Sequence, residues 1–277
     1  MPSLPIPLID LAAPRAGVTG RLAEAAAAPG FFQVVNSGLD VTLADGTLAS
    51  ARAFFACDAE AKRAVSRTLK NPFGYYDREL TKNLRDRKEI FDFAPGEDTP
   101  WPAAMPALRP ALESFATECH ALALRLTALL CEGLGQAPDS LLAQLSPHHS
   151  SFLRLNHYPL HDVLAGEAPA PGPLGISPHT DAGVLTVLLQ DAVAGLQVQQ
   201  QGRASALSRP VVEGVSRVAG AWGLRRLRRG SADQPLSGPI GHMTLRESRM
   251  PLRLYSRLCR GVLESVACAV NPTLPFL

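Results

Sequence analysis

The chain has 277 residues, 46% of them hydrophobic, and a formal net charge of +2, enough length and apolar content for one enzyme-sized domain with a full core. No charged-then-apolar leader and no run of 18 or more uninterrupted apolar residues is seen, so a soluble, cytoplasmic protein without membrane attachment is expected. The five cysteines (57, 119, 131, 259 and 268) form no C-x-x-C pair and are odd in number. That argues against a disulfide framework or a zinc knuckle and predicts buried, reduced thiols.

In chain order, "IPLIDL" (6–11) reads as a short strand and "GVTGRLAEAAAAPG" (17–30) as an alanine-rich helix closed by Pro29 and Gly30. "FFQVVN" (31–36) is aromatic and β-branched, the composition of a second strand. Between 104 and 134, Leu108, Leu112, Phe115, Cys119, Leu122, Leu126 and Leu129 recur at alternating spacings of four and three, a single stripe on a long amphipathic helix. Such a stripe serves as a dimer seam or as a face packed on the domain's own sheet, and the second is expected.

From residue 150 the period changes to two. In "SSFLRLNHYPL" (150–160), Arg154, Asn156 and Tyr158 share one strand face, and Leu153, Leu155 and His157 share the other. The polar face is expected to point at something other than core. A proline-rich loop, "APAPGPLG" (168–175), precedes two further strands, "VLTVLLQ" (184–190) and "GLQVQQ" (195–200), separated by a turn at Ala194 and Gly195. Helices come first and an antiparallel sheet follows, with no internal repeat.

The stretch that carries chemistry is "PHTDAGVLTVLLQD" (178–191). On an extended segment His179 and Asp181, two positions apart, lie on the same side and can both reach one ion. A neutral imidazole, a carboxylate and a second histidine from elsewhere make a 2-His-1-carboxylate facial triad, which suits Fe(II) and leaves coordination positions open. Taken alone, H-x-D is a weak motif, equally consistent with a hydrogen-bonded histidine at a loop edge.

Four separated stretches, "IPLIDL", "GFFQVVNSGL", "DRKEIFDF" (86–93) and "RLNHYP" followed by "PHTDAGVLTVLLQDAVAGLQV", resemble the 2-oxoglutarate/Fe(II)-dependent dioxygenases of the isopenicillin N synthase type, in the family's order and at its approximate spacing. The resemblance covers about residues 4–200. It implies an α+β fold, a double-stranded β-helix (jelly-roll) core behind an N-terminal, mostly helical region, with His179 and Asp181 as iron ligands. Asn156 and Tyr158 fall where the family contacts its cosubstrate, and Arg154 lies on the same face. The implied activity is hydroxylation or desaturation of a small organic molecule with O₂, with Fe(II), 2-oxoglutarate as cosubstrate and ascorbate as auxiliary reductant. Ser37 stands where the family has histidine in "VNHG", outside the metal site.

Beyond Gly202 the chain changes character. Residues 203–277 hold twelve arginines, no lysine and four acidic residues, a net of +8, which leaves residues 1–202 at −6. A basic patch for nucleic acid is one reading, but no aromatic ladder, helix-turn-helix or finger spacing accompanies it, so no nucleic-acid partner is expected. The family's strand and turn motifs are not found here. His242 is the one histidine after Asp181 and so the third-ligand candidate by elimination, yet "PLSGPIGHM" around it suits a loop and places it outside bonding range in expectation. The far carboxylate of 2-oxoglutarate needs a buried arginine. Arg246, with Ser248, reproduces R-x-S close to His242, and Arg253 stands eleven residues on.

The expected organisation is therefore 1–145 as the N-terminal region, 146–202 as the first half of the jelly roll with H-x-D, and 203–277 as a divergent basic tail. Two functions remain open. One is an active oxygenase. The other is a catalytically inactive relative, truncated or alternatively spliced, that lacks a complete metal and cosubstrate site because its barrel's second half is replaced. A replaced half-barrel would leave sheet edges uncovered. Substrate identity and oligomeric state are not readable from the residues.

Overall fold

The computed structural model describes residues 6–27, 30–142, 151–179, 181, 184–191, 193, 196–200, 203–206, 217–220, 253–256 and 263–270. The first unit is a parallel strand pair joined through a helix. Strand β1 (Leu8–Asp10) pairs with β2 (Gln33–Val35), Ile9 opposite Val34, with α1 (Arg15–Ala27) between them. Past the end of α1, Gly30 adopts φ +74° and donates its N–H to Ala25 O at 2.7 Å, the left-handed closure that glycine permits after a helix.

Helix α2 (Val41–Phe55) starts where the Asp40 carboxylate accepts the Thr42 and Leu43 N–H groups, and α3 (Ala59–Arg63) starts where Asp58 accepts from Ala61. Four short strands follow: β3 (Gly74–Tyr76), β4 (Leu80–Thr81), β5 (Leu84–Arg85) and β6 (Glu89–Phe93). Then comes α4 (Leu108–Gly133), whose seven-residue apolar stripe from Leu108 to Leu129 is buried throughout, within this one chain. The stripe packs on α1, α2 and strands of the sheet.

The rest of the described chain is strand: β7 (Phe152–Tyr158), β8 (Ile176–His179), β9 (Leu185–Gln190), β10 (Leu196–Gln200), β11 (Arg203–Ala206), β12 (Arg217–Gly220), β13 (Arg253–Ser256) and β14 (Leu263–Val270). They form an eight-stranded sheet, β1-β2-β12-β9-β14-β7-β6-β3, and a four-stranded sheet, β11-β10-β13-β8, with β4 and β5 as a separate hairpin. The N-terminal region is thus helical but also supplies four strands of the large sheet.

Alternation along the strands fixes the layers. Leu153 and Leu155 of β7, Phe91 and Phe93 of β6, and Leu185 and Val187 of β9 join Leu112, Phe115, Leu122 and Leu126 of α4 in one apolar cluster, so the helices cover one face of the large sheet. On the other face, Leu188 of β9 packs with Val198 and Leu196 of β10 and with Phe31, joining the large sheet to the small one. The α+β fold is a helical layer on a double-stranded β-helix.

The described residues after Gly202 contribute strands to both sheets. Strand β14 pairs with β7 on one side (Val266 opposite Leu155) and with β9 on the other (Val266 opposite Leu189), in the middle of the large sheet. Strand β13 lies between β10 and β8 (Leu254 opposite Val198 and His179). The expectation of a half-built barrel with bare strand edges is therefore not met along these ladders.

Two glycines test the helix packing. At Gly133 a Cβ would stand 2.2 Å from Thr19 O, whereas Gly20, on an exposed face of α1, has nothing within 4 Å. Gly133→Ala should therefore destabilise the protein by about 1–3 kcal/mol by forcing α1 off α4, and Gly20→Ala should stabilise it by up to about 1 kcal/mol through helix propensity. Denaturant unfolding of the two variants checks both signs.

Candidate metal centre

The strand pair β6–β7 separates two environments. Its helix-facing side is apolar and aromatic apart from Glu89, which is buried with Lys62 Nζ at 2.5 Å and Tyr75 Oη at 2.6 Å, and His157, whose Nε2 lies 3.8 Å from Glu89 Oε2. The opposite side, toward the small sheet, carries Asp92 and Arg154 directly across the ladder, then Ile90 opposite Asn156, and Tyr158 at the end of β7.

Arg154 does not reach for an open space. It makes two bonds of 2.7 Å to Asp92, through Nε and Nη2, and its Nη1 lies 3.1 Å from Glu79 Oε1. Burial works against its charge, but Asp92 and Glu79 outweigh that and push its pKa further up. Glu79 also takes Lys88 Nζ at 2.6 Å. Burial would raise the Glu79 carboxyl, yet Lys88, Arg154 and Arg67 hold it below its ordinary value. Sequence reasoning missed this chain of charges, although "DRKEIFD" shows it as alternation: Asp86, Lys88 and Asp92 fall on the face that Arg154 shares.

His179 closes β8, and Asp181 follows two residues later. His179 Nε2 stands 3.3 Å from Asp181 Oδ1, while Nδ1 stands 3.0 Å from Ser177 O. Both ring nitrogens face acceptors, so without metal the ring can donate from Nδ1 to the Ser177 carbonyl and from Nε2 to the Asp181 carboxylate, and a metal bound at Nε2 would take the place of that second proton. Both side chains are about 30% exposed, so the pair is reachable. Burial would raise the Asp181 carboxyl, but hydrogen bonds from His179 and Thr186 and the nearby Arg154 charge hold it below the usual carboxylate range. The Tyr158 hydroxyl is pushed well above the ordinary phenol value, first by burial and then by Asp86, Glu79 and Asp181.

This donor set fits divalent iron as two corners of a facial triad, with the second nitrogen of the histidine already tied to a carbonyl, the usual support of a metal-bound imidazole. Opposite His179 on the neighbouring strand stands Leu254, and β13 holds neither imidazole nor carboxylate. Among the described residues no group of three or more His, Cys, Asp or Glu side chains is arranged so that it could hold a metal ion. His242 and Arg246 lie outside the described residues. Arg253 is the first residue of β13, opposite Gln199 and one place from the residue that faces His179. Asn156 is buried in mid-strand on the face it shares with Arg154. Cys119 and Cys131 are buried and Cys57 is half-buried, and none of the three is in a disulfide among the described residues. No helix among the described residues is long and apolar enough to cross a membrane.

Two family models match the chain: the non-haem dioxygenase in morphine synthesis N-terminal model over residues 6–111, and the 2OG-Fe(II) oxygenase superfamily model over residues 149–230. The second match runs past Gly202. Among curated relatives, proline hydroxylase buaE of Petromyces alliaceus is 40% identical over 44% of this chain and 39% of its own length. Flavanone 3-dioxygenase 2 of Oryza sativa subsp. japonica is 32% identical over 72% of this chain and 58% of its own. The chain spans less than two thirds of the length of these relatives. Among solved structures, JOX2 in complex with 2OG, Fe and JA superimposes with a TM-score of 0.77 at 24% identity, covering 98% of this chain and 76% of that one. The dioxygenase for auxin oxidation 1 from Arabidopsis thaliana, in its complex with 2-oxoglutarate, gives 0.69 at 18% identity, over 98% and 92%. A helical layer on a jelly roll, a histidine and an aspartate side by side at the end of β8, and both family models in their order along the chain together make this protein a member of the 2-oxoglutarate/Fe(II)-dependent dioxygenase family.

Proposed function

We propose that the chain is an Fe(II)/2-oxoglutarate-dependent oxygenase that hydroxylates or desaturates a small organic molecule. The observation that carries this reading is the His179–Asp181 pair: an imidazole nitrogen 3.3 Å from a carboxylate oxygen, its ring anchored through Nδ1 on Ser177 O. Bound iron would supply the coupling of O₂ reduction to decarboxylation of 2-oxoglutarate, with ascorbate keeping the metal reduced between turnovers.

The protein's own part is to bind and orient. His179 and Asp181 hold the metal, and Thr186 fixes the Asp181 carboxylate by a hydrogen bond. Tyr158 and Asn156 contact the cosubstrate from β7, where the Tyr158 proton is retained at any physiological pH and is free to be donated to a carboxylate. Arg154, committed to Asp92 and Glu79, is a wall of the site and not the anion's receptor. That task falls to Arg253 on β13 or to Arg246. His242, the one histidine after Asp181, stays the third-ligand candidate by elimination, although its proline- and glycine-rich setting argues for a loop outside bonding range. Cys119 and Cys131 are buried and not joined in a disulfide, which fits a reducing compartment, and the cytoplasm is the proposed location.

Succinate release from 2-oxoglutarate with Fe(II) and ascorbate tests the reading. His179→Ala and Asp181→Ala should each abolish it while shifting thermal unfolding little, because both side chains are partly open and neither belongs to the packed core. Activity retained in either variant would sink the metal assignment. His242→Ala separates the active oxygenase from the inactive relative: the active reading requires a large fall in iron affinity, and an unchanged affinity removes His242 from the site.

Tyr158→Phe should raise the 2-oxoglutarate Kd about tenfold and leave iron binding nearly unchanged, since it deletes one hydroxyl contact worth about 1–1.5 kcal/mol and no metal ligand. Titration of each component by calorimetry checks the split. Equal losses of both would make Tyr158 a structural residue.

A further inference from the structure

Strand β8 is the end strand of the small sheet: among the described strands it pairs with β13 and no other. The outward row of peptide groups on such a strand has no ladder partner, and inside a protein an unmet N–H is costly. One of these groups is met by a side chain from far earlier in the sequence. The Ser177 N–H donates to Asp86 Oδ1 at 3.3 Å, and the carbonyl of the same residue holds His179 Nδ1 at 3.0 Å. Pro178, which stands between them, has no N–H. Ser177 is thus gripped on one side by Asp86 and grips the His179 ring on the other.

Asp86 is built for the task. It is 1% exposed, and its other oxygen, Oδ2, accepts from Thr81 Oγ1 at 2.7 Å and lies 3.5 Å from Lys88 Nζ, which leaves Oδ1 for Ser177. The hairpin that carries it is clamped to the segment leading into β8. Arg85 makes two bonds to Asp162, at 2.9 and 2.5 Å, and a third to Pro169 O at 2.8 Å, while Arg85 O accepts the Gly172 N–H at 2.9 Å. Thr81 of β4 and Asp86 just after β5 close the same hairpin.

We propose that Asp86 is a positioning residue for the metal site: by accepting the Ser177 N–H it sets the Ser177 peptide, and through that peptide the rotation of the His179 ring toward Asp181. This rests on His179 being a metal ligand. Asp86 touches neither metal nor substrate in this scheme. The competing role is a buried counter-ion for Lys88, but Lys88 already has Glu79 at 2.6 Å. A counter-ion needs charge, whereas a positioner of the Ser177 peptide needs only an acceptor, and this difference separates the two.

The test uses the whole chain and Co(II) as the probe, followed by its visible d–d bands and by the hyperfine-shifted exchangeable ring N–H resonance of the bound histidine. Asp86→Ala should weaken Co(II) binding tenfold to a hundredfold and speed exchange of that N–H with solvent, the usual size of effect when a partner behind a metal ligand is lost. Asp86→Asn, which keeps the acceptor without the charge, should stay within about threefold of the parent. Should Asp86→Ala not fold, Ser177→Pro, which deletes the donated N–H from an end strand that tolerates proline, should weaken Co(II) binding by the same tenfold or more. Parent-like affinity in Asp86→Ala or Ser177→Pro overturns the proposal, as does a loss in Asp86→Asn equal to that in Asp86→Ala. A parallel His179→Ala titration separates the two levels: if it keeps Co(II) affinity, the metal assignment falls and the proposal with it, and if it alone loses affinity, only the role of Asp86 falls.

Discussion

Arg154 and Asp92 face each other across the β6–β7 ladder and share two hydrogen bonds of 2.7 Å, and the placement of everything else in the site follows from this buried pair. A guanidinium taken out of water is tolerable only where carboxylates meet it, and here Asp92 and Glu79 do. The same strands turn Phe91, Phe93, Leu153 and Leu155 toward the helices. A slip of one residue in register would drive Arg154 into that aromatic layer and expose the leucines between the sheets. Ion pair and aromatic layer thus enforce one register, and that register is what brings Tyr158 and Asn156 to the side where His179 and Asp181 lie.

Much of this was legible in the residues because it is periodic. The four-and-three spacing from Leu108 to Leu129 marks the buried stripe of α4, and the period-two alternation of "FLRLNHY" divides β7 correctly into an apolar and a polar face. What the polar face meets was not legible. Arg154 looks like a side chain waiting for an anion, and its partners, Asp92 and Glu79, come from segments 62 and 75 residues earlier, brought near only by strand pairing. Likewise Asp86 gives no local sign that it reaches Ser177, 91 residues on. Side-chain bonds of this range are properties of topology, which spacing along a chain does not encode.

The region after Gly202 shows the opposite failure. Its charge and its loss of family wording suggest a replaced half-barrel, yet the backbone threads β14 between β7 and β9 and β13 between β10 and β8. "LESVACAV" has no clean alternation of polar and apolar residues, so it does not announce a strand. A jelly roll with β7, β9, β8 and β10 in place offers open ladders at just these positions, and backbone groups pair there whatever side chains they carry. Sheet completion is therefore a weaker demand on sequence than site completion. A strand can be supplied by many sequences, but a third metal ligand must be one of few residue types at one position, and β13 presents Leu254 opposite His179.

That asymmetry changes how the N-terminal region should be regarded. Strand β8 carries the proposed ligand at its end and lies at the border of its sheet, where ladder bonds restrain it from one side only. Restraint from the other side comes from the hairpin of β4 and β5 and its neighbours: Asp86 on the Ser177 N–H, Arg85 on Asp162 and Pro169, Arg85 O on Gly172. The stiffness that a metal site requires is thus assembled across the boundary at which the two family models divide the chain. Residues 6–111 are part of the site's support, and a jelly roll expressed without them would keep the H-x-D sequence but lose the groups that hold its strand in place.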